Sequence, residues 1–186
     1  MSTQPLQQTL DVCRETLAAV SADQMQASTP CASWDVAGLI NHIVGAQGFF
    51  TAGLLGQAPS TEEVDYAAGD YMAAFDQAAA QTMEAFNSEG AMEKMCELPF
   101  GTMPGAALMG MAMTDTFQHS WDLAKATGQS TDLAPQLASA ILQQSQGFIQ
   151  EGFRGEDGQA PFGAEQQCAD GSCSADQLAA FLGREV

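Results

Sequence analysis

Asp115-Thr-Phe-Gln-His119-Ser-Trp-Asp122-Leu-Ala-Lys-Ala-Thr-Gly-Gln129 is the stretch whose reading decides the fold. It predicts the second half of a helix whose core-facing line runs Leu108, Ala112, Asp115, His119, Asp122 and Ala126. Steps of four and three residues place all six on one stripe. A stripe that only packs would be apolar. Here half of it is polar or ionisable, and Asp115 and His119 stand one turn apart on one face. A buried carboxylate and imidazole are costly unless paired or bound to a metal, so the stretch announces both a helix and a candidate site.

Outward from this stretch, the helix starts near Pro104 and stops at Gly128, a suitable C-terminal glycine. A helix expected over about 5–21 has a seam of Leu6, Leu10, Cys13, Leu17 and Val20. The next helix starts at Asp35 as N-cap, with Trp34 before it and Leu39 at its fourth position forming a staple. Its inward face takes Leu39, His42, Ile43, Ala46, Phe49 and Phe50. A third helix is expected from Glu62 to Asn87, followed by a long connection containing Leu98-Pro-Phe-Gly-Thr-Met-Pro-Gly105. A fifth is expected from Asp132 to Phe153. After an irregular tail over 154–172, a short C-terminal helix is expected, capped by Ser174 with Gln177 at its third position. No strand-period run of useful length stands out, so the expected fold is all-α, with residues 1–186 in one domain.

Composition narrows the function. The chain has 186 residues, 23 acids against five bases and a net charge of -18. The bases Arg14, Lys94, Lys125, Arg154 and Arg184 are scattered. Such a surface repels a phosphate backbone and an anionic membrane, so no nucleic acid and no membrane partner is expected. Residues 36–61 lack charge, but glycines and polar residues dilute them at helical spacing, which favours a core helix over a membrane span. The opening Met1-Ser-Thr-Gln-Pro-Leu-Gln-Gln8 has no basic start and no apolar run, as expected of a cytoplasmic protein. The odd count of five cysteines fits reduced thiols. Cys168 and Cys173 enclose a turn-like insert that a disulfide or a metal could bridge, yet no second pair supports a closed zinc site. Cys13 and Cys31 are expected to pack. Cys31 precedes His42 by about three helical turns, roughly 16 Å along a helix, which is too far for contact.

The chain has two histidines, and both fall on inward helical faces. His42, Asp115 and His119 therefore form a two-imidazole, one-carboxylate set from two helices. Zinc, nickel, iron(II) and manganese accept such ligands, and three protein ligands leave coordination positions open. The alternative is two hydrogen-bonded core histidines. Asp122, one turn beyond His119, is expected either to orient an imidazole N–H from outside the ligand set or to bond elsewhere in the core.

Five segments carry a resemblance: Thr29-Pro-Cys-Ala-Ser-Trp-Asp-Val, Leu39-Ile-Asn-His-Ile-Val-Gly, Leu98-Pro-Phe-Gly-Thr-Met-Pro-Gly, His119-Ser-Trp-Asp-Leu-Ala-Lys-Ala-Thr-Gly-Gln and Leu178-Ala-Ala-Phe-Leu-Gly-Arg. Together they resemble the actinobacterial-type metal-binding family related to the N-terminal domain of mycothiol-dependent maleylpyruvate isomerase, in the DinB/YfiT-like superfamily. The resemblance implies an up-down-down-up four-helix bundle, with one divalent metal on His42, Asp115 and His119. It further implies a thiol-dependent S-transferase or isomerase using mycothiol, bacillithiol or glutathione, the metal activating the thiol as thiolate. The partner would then be that thiol or a small-molecule substrate, with a homodimer left open. The other reading is a non-catalytic metal- or ligand-binding bundle. Lys125 and Arg154 are the bases expected nearest a thiol cofactor. Relatives usually carry Glu where this chain has Asp115, so the helices must approach closely or hold the metal less firmly.

Overall fold

The computed structural model describes residues 2–156 and 159–186. Among them are six α-helices and one short two-stranded sheet. Helix α1 (Gln4–Ala18) buries Leu6, Leu10, Cys13 and Leu17 along the expected seam, and Pro5 occupies its first turn. Helix α2 (Val36–Leu55) begins where Asp35 caps it, the carboxylate accepting from the Gly38 N–H at 2.8 Å. It ends at Gly56 in the left-handed conformation. Its buried line comprises Val36, Leu39, Ile40, Ile43, Val44, Gln47, Phe50 and Leu54, so His42 and Phe49 fall at the margin rather than the centre.

Helix α3 (Tyr71–Phe86) starts later than the expected Glu62. Asp70 caps it by accepting from the Ala73 N–H, and tertiary contacts from α2 hold the preceding chain. The Asn41 amide nitrogen donates to Asp65, and the Asn41 carbonyl accepts from the Ala67 N–H. Those bonds take the place of a helical ladder.

The long connection is not a loop throughout. Strands β1 (Met95–Leu98) and β2 (Gly101–Pro104) pair antiparallel, with Met95 opposite Pro104 and Leu98 opposite Gly101. This corrects the strandless expectation: four-residue strands are too short to show a period-two pattern. The hairpin is seated by Leu98 against α2, where a Cβ on Gly53 would lie 2.7 Å from Leu98 Cδ2. It also starts the next helix, because the Lys94 and Met92 carbonyls accept the Gly105 and Ala106 N–H groups. Those are donors that a helix N-terminus otherwise leaves unmade.

Helix α4 (Gly105–Thr127) is the central element, with Leu108, Ala112, Phe117, Trp121, Leu123 and Ala124 fully buried and Gly128 ending it left-handed. It packs against α1 and α2, and α3 packs against the same two helices. Helix α5 (Pro135–Phe148) is shorter than the expected Asp132–Phe153, starting at Pro135 and stopping where Ile149 turns extended. Helix α6 (Ser174–Phe181) packs on α5 and α4. Its cap is Cys173 rather than Ser174: the sulfur accepts from the Asp176 N–H. Among the described residues no helix is long and apolar enough to cross a membrane.

Candidate metal centre

The packing of α2 on α4 brings His42, Asp115 and His119 together. Asp115 Oδ1 lies 3.4 Å from His42 Nε2 and 3.6 Å from His119 Nε2. The two imidazole rings meet edge to face at 4.5 Å. Ligand atoms around a tetrahedral zinc with bonds of about 2.0–2.1 Å stand roughly 3.3–3.5 Å apart, so these separations already suit one small cation. The shorter Asp arm is therefore no obstacle, since the helices approach closely enough for it. Asp115 Oδ2 is buried and, among the described residues, has no hydrogen-bond partner. A buried carboxylate oxygen left unpaired costs free energy, and a cation is the partner that the two surrounding imidazoles would share with it. The residues fit a metal.

The site lies at the margin of the core. The side chains of His42 and Asp115 are 29% and 24% exposed, while His119 is 11% exposed. Trp34 stacks on His42 at 4.4 Å and meets His119 edge-on at 5.6 Å, walling one side with an apolar ring. The same indole lines a groove of about 440 Å³ together with Gln26, Ser28, Asp35 and Gly38.

Behind His119 lies a second layer. His119 Nδ1 is 2.9 Å from Asp122 Oδ2, so with Asp122 ionised Nδ1 carries a hydrogen, and Nε2 is the nitrogen that a metal could take in exchange for its proton. Asp122 is fully buried and accepts five hydrogen bonds. Oδ1 takes Gln118 Nε2 at 3.1 Å and Arg184 Nε at 2.9 Å. Oδ2 takes His119 Nδ1, Cys31 Sγ at 3.1 Å and Arg184 Nη2 at 3.1 Å.

Charge follows this geometry. Burial alone would lower the His119 pKa, but the Asp115 charge and the Asp122 hydrogen bond outweigh it, and the imidazole is pushed up to about 10. Burial would raise both carboxylates. Instead the His119 charge and the His42 hydrogen bond pull Asp115 down, and hydrogen bonds from His119 and Arg184 hold Asp122 well below the usual range. Two carboxylates flanking one imidazole make a locus that draws positive charge.

Sequence reading missed two members of this cluster. Cys31 is not an apolar packing residue: its sulfur contacts Asp122, Arg184 and His119 Nδ1 at 3.8 Å. The chain before α2 folds back, with the Val36 N–H donating to the Ala27 carbonyl and the Ala37 N–H to the Met25 carbonyl. That fold-back carries Cys31 to His119 and Asp122 on α4, contacts that its spacing from His42 says nothing about. Arg184 reaches the cluster from beyond α6; it closes the Leu178–Arg184 segment that carries the resemblance, but its spacing does not mark it as a partner of Asp122. Of the bases expected near the site, Arg154 donates to the Gly163 and Phe181 carbonyls, and Lys125 lies over the Trp121 ring. All five cysteines are free thiols, Cys168 and Cys173 included.

Residues 6–124 match the family described as mycothiol maleylpyruvate isomerase N-terminal domain. The chain belongs to this family. Two uncharacterised proteins of Mycobacterium tuberculosis, from strains CDC 1551 / Oshkosh and H37Rv, are each 41% identical over 180 residues, 97% of this chain and 96% of theirs. The crystal structure of the mycothiol-dependent maleylpyruvate isomerase superposes with a TM-score of 0.52 at 17% identity, over 77% of this chain and 71% of that one. At that identity the likeness speaks for the fold. In this member of the isomerase N-terminal domain family, the matched residues include Cys31, His42, Asp115, His119 and Asp122, whereas Arg184 lies outside them.

Proposed function

We propose that the protein holds one divalent cation on His42 Nε2, His119 Nε2 and the Asp115 carboxylate, zinc being favoured over nickel, iron(II) and manganese. We further propose that it serves as a low-molecular-weight-thiol-dependent S-transferase or isomerase. The Asp115 carboxylate carries the reading, with Oδ1 shared between two imidazole nitrogens and Oδ2 buried without a partner. A cation held there would supply Lewis acidity, so that a thiol reaching an open position ionises near neutral pH. The name of the structural relative puts mycothiol first, ahead of bacillithiol and glutathione. In this reading the four long helices α1–α4 form the family's up-down-down-up bundle, and the chain works as one domain in the cytoplasm.

The chain's own side chains hold and orient. Asp122 keeps the His119 hydrogen on Nδ1 and so aims Nε2 at Asp115. Trp34 fixes the plane of His42 by stacking. The groove that shares Trp34 offers amide, hydroxyl and carboxylate groups from Gln26, Ser28 and Asp35 to the polar body of a thiol cofactor. Elemental analysis of untagged protein tests the metal, and cobalt-substituted protein titrated with mycothiol, bacillithiol and glutathione tests the thiol. One equivalent of metal and a change in the cobalt spectrum with one of the three are expected. No spectral change with any of them would end the thiol assignment.

A non-catalytic metal- or ligand-binding role is the second reading, and the bases favour it. Arg14 pairs with Asp76, Arg154 with two carbonyls, Arg184 with Asp122, and Lys125 lies over Trp121. Little cationic surface is left to grip an anionic cofactor. Metal and thiol binding without consumption of an added electrophile would decide for it.

A further inference from the structure

The proposed ligands do not use all of His119. Its Nδ1 side faces a second potential ligand set, in which Cys31 Sγ, His119 Nδ1 and an Asp122 oxygen all lie within 4.8 Å of one another. A thiolate, an imidazole and a carboxylate suit zinc or cobalt at least as well as the first set. All three residues are buried, more deeply than His42 and Asp115. On ligand chemistry alone, a metal would have reason to choose Cys31.

One side chain that belongs to neither set separates them. Arg184 Nη2 stands 3.2 Å from Cys31 Sγ and 3.1 Å from Asp122 Oδ2, while its Nε is 2.9 Å from Asp122 Oδ1. The guanidinium thus makes a two-pronged bond to the carboxylate and touches the thiol as well. A positive charge already stands within hydrogen-bonding distance of two of the three ligands. Among the described residues no guanidinium or ammonium reaches the first set: Asp115 meets the two imidazoles, whose protons a metal can displace, and its second oxygen is unpaired.

We propose that Arg184 is a built-in cation that closes the Cys31–His119–Asp122 set, so that His119 offers only Nε2 to a metal and the ion is directed to His42, Asp115 and His119. The inference rests on the metal reading above and adds the choice between two ligand sets that share one imidazole. The selector comes from the C-terminal segment, outside the residues matched to the family. That segment is fixed in several ways. Trp121 Nε1 donates to Asp176 Oδ1 at 2.8 Å, and Arg154 donates to the Gly163 and Phe181 carbonyls. Gly183 sits at φ 101°, so close to Gly163 that a Cβ would lie 2.5 Å from its Cα. A side chain at position 183 would push Arg184 off Asp122. Arg184 is therefore a positioning residue, acting on the metal through which ligands it leaves available.

Cobalt(II) added to the full-length protein reads this directly, because a coordinated thiolate gives a near-ultraviolet charge-transfer band that imidazole and carboxylate do not. Wild type should bind one equivalent without that band, and Arg184→Lys, which keeps the charge, should match it. Arg184→Met should gain the band as Cys31 releases its proton to solvent and binds cobalt. The double variant Arg184→Met, Cys31→Ser should lose it again. His42→Ala should abolish cobalt binding in wild type but leave the Arg184→Met band in place. An Arg184→Met protein with the wild-type spectrum overturns the proposal. So does a wild-type band that Cys31→Ser removes, a comparison that remains open if Arg184→Met does not fold. Wild type that binds no cobalt sinks the metal reading instead, and a band appearing in Arg184→Met would still stand.

Discussion

Replacing Asp122 by Asn should damage the protein in two separable ways. The change keeps the shape but removes the charge and turns one acceptor oxygen into a donor. Whichever way the amide faces, its N–H₂ opposes either Gln118 Nε2 and Arg184 Nε, or His119 Nδ1 and Arg184 Nη2. Arg184, whose side chain is only 18% exposed, loses its ionic partner. Breaking a buried pair from one side costs about 3–5 kcal/mol. For a chain of this size each kcal/mol corresponds to roughly 2–4 °C of melting temperature. The metal-free variant should therefore melt roughly 6–20 °C below wild type. Losing the carboxylate that orients His119 should separately weaken zinc affinity by about 10- to 100-fold. Denaturant unfolding of metal-free protein measures the first effect, and competition with a chromophoric chelator the second. A variant within about 1 kcal/mol of wild type in stability, with unchanged zinc affinity, would refute the account of Asp122; the scale is that of an ordinary hydrogen bond.

Three further outcomes follow. Asp176→Ala leaves the fully buried Trp121 indole N–H without its partner and should cost about 1–3 kcal/mol. Burial would raise the Asp176 pKa, but the Trp121 hydrogen bond and its other partners hold it lowered. Its contribution is therefore fully present above the unfolded value of about 3.9 and lost as pH falls through the lower folded value. The stability gap between wild type and Asp176→Ala should accordingly close below about pH 4, as followed by tryptophan fluorescence. Burial pushes the Cys13 thiol up to about 12, so in native protein at pH 8 iodoacetamide should spare Cys13 and label half-exposed Cys168 first, as mapped by mass spectrometry. Early labelling of Cys13 would contradict the packing described. Asp115→Ala should sharply weaken metal binding while Asp115→Glu keeps or tightens it, measured with the same chelator competition.

The parts of the molecule written in local spacing were legible. Asp35 as a cap and Gly128 as a stop depend on neighbours a turn away, and both stand where the sequence puts them. That His42, Asp115 and His119 come together was readable because helical periodicity turns them toward one another, although His42 and Asp115 stand at the margin of the core, and the chain has no other histidine to compete. What was lost depends on distance along the chain. The start of α3 is set by Asn41, 26 residues from Ala67. The contact of Arg184 with Cys31 spans 153 residues. The β1–β2 hairpin was missed for another reason: its strands of four residues each hold only two repeats of the period-two pattern, too few to stand out.

The central claim is that one metal sits on His42, Asp115 and His119, and zinc-dependent melting tests it most directly. A ligand that binds only the folded state at 100 times its dissociation constant adds about 2.7 kcal/mol, or roughly 5–10 °C at this chain length. Wild type should gain that increment with zinc, whereas His42→Ala and His119→Ala should fold without it and gain little. Equal stabilisation of wild type and both histidine variants would place the metal elsewhere and contradict the account.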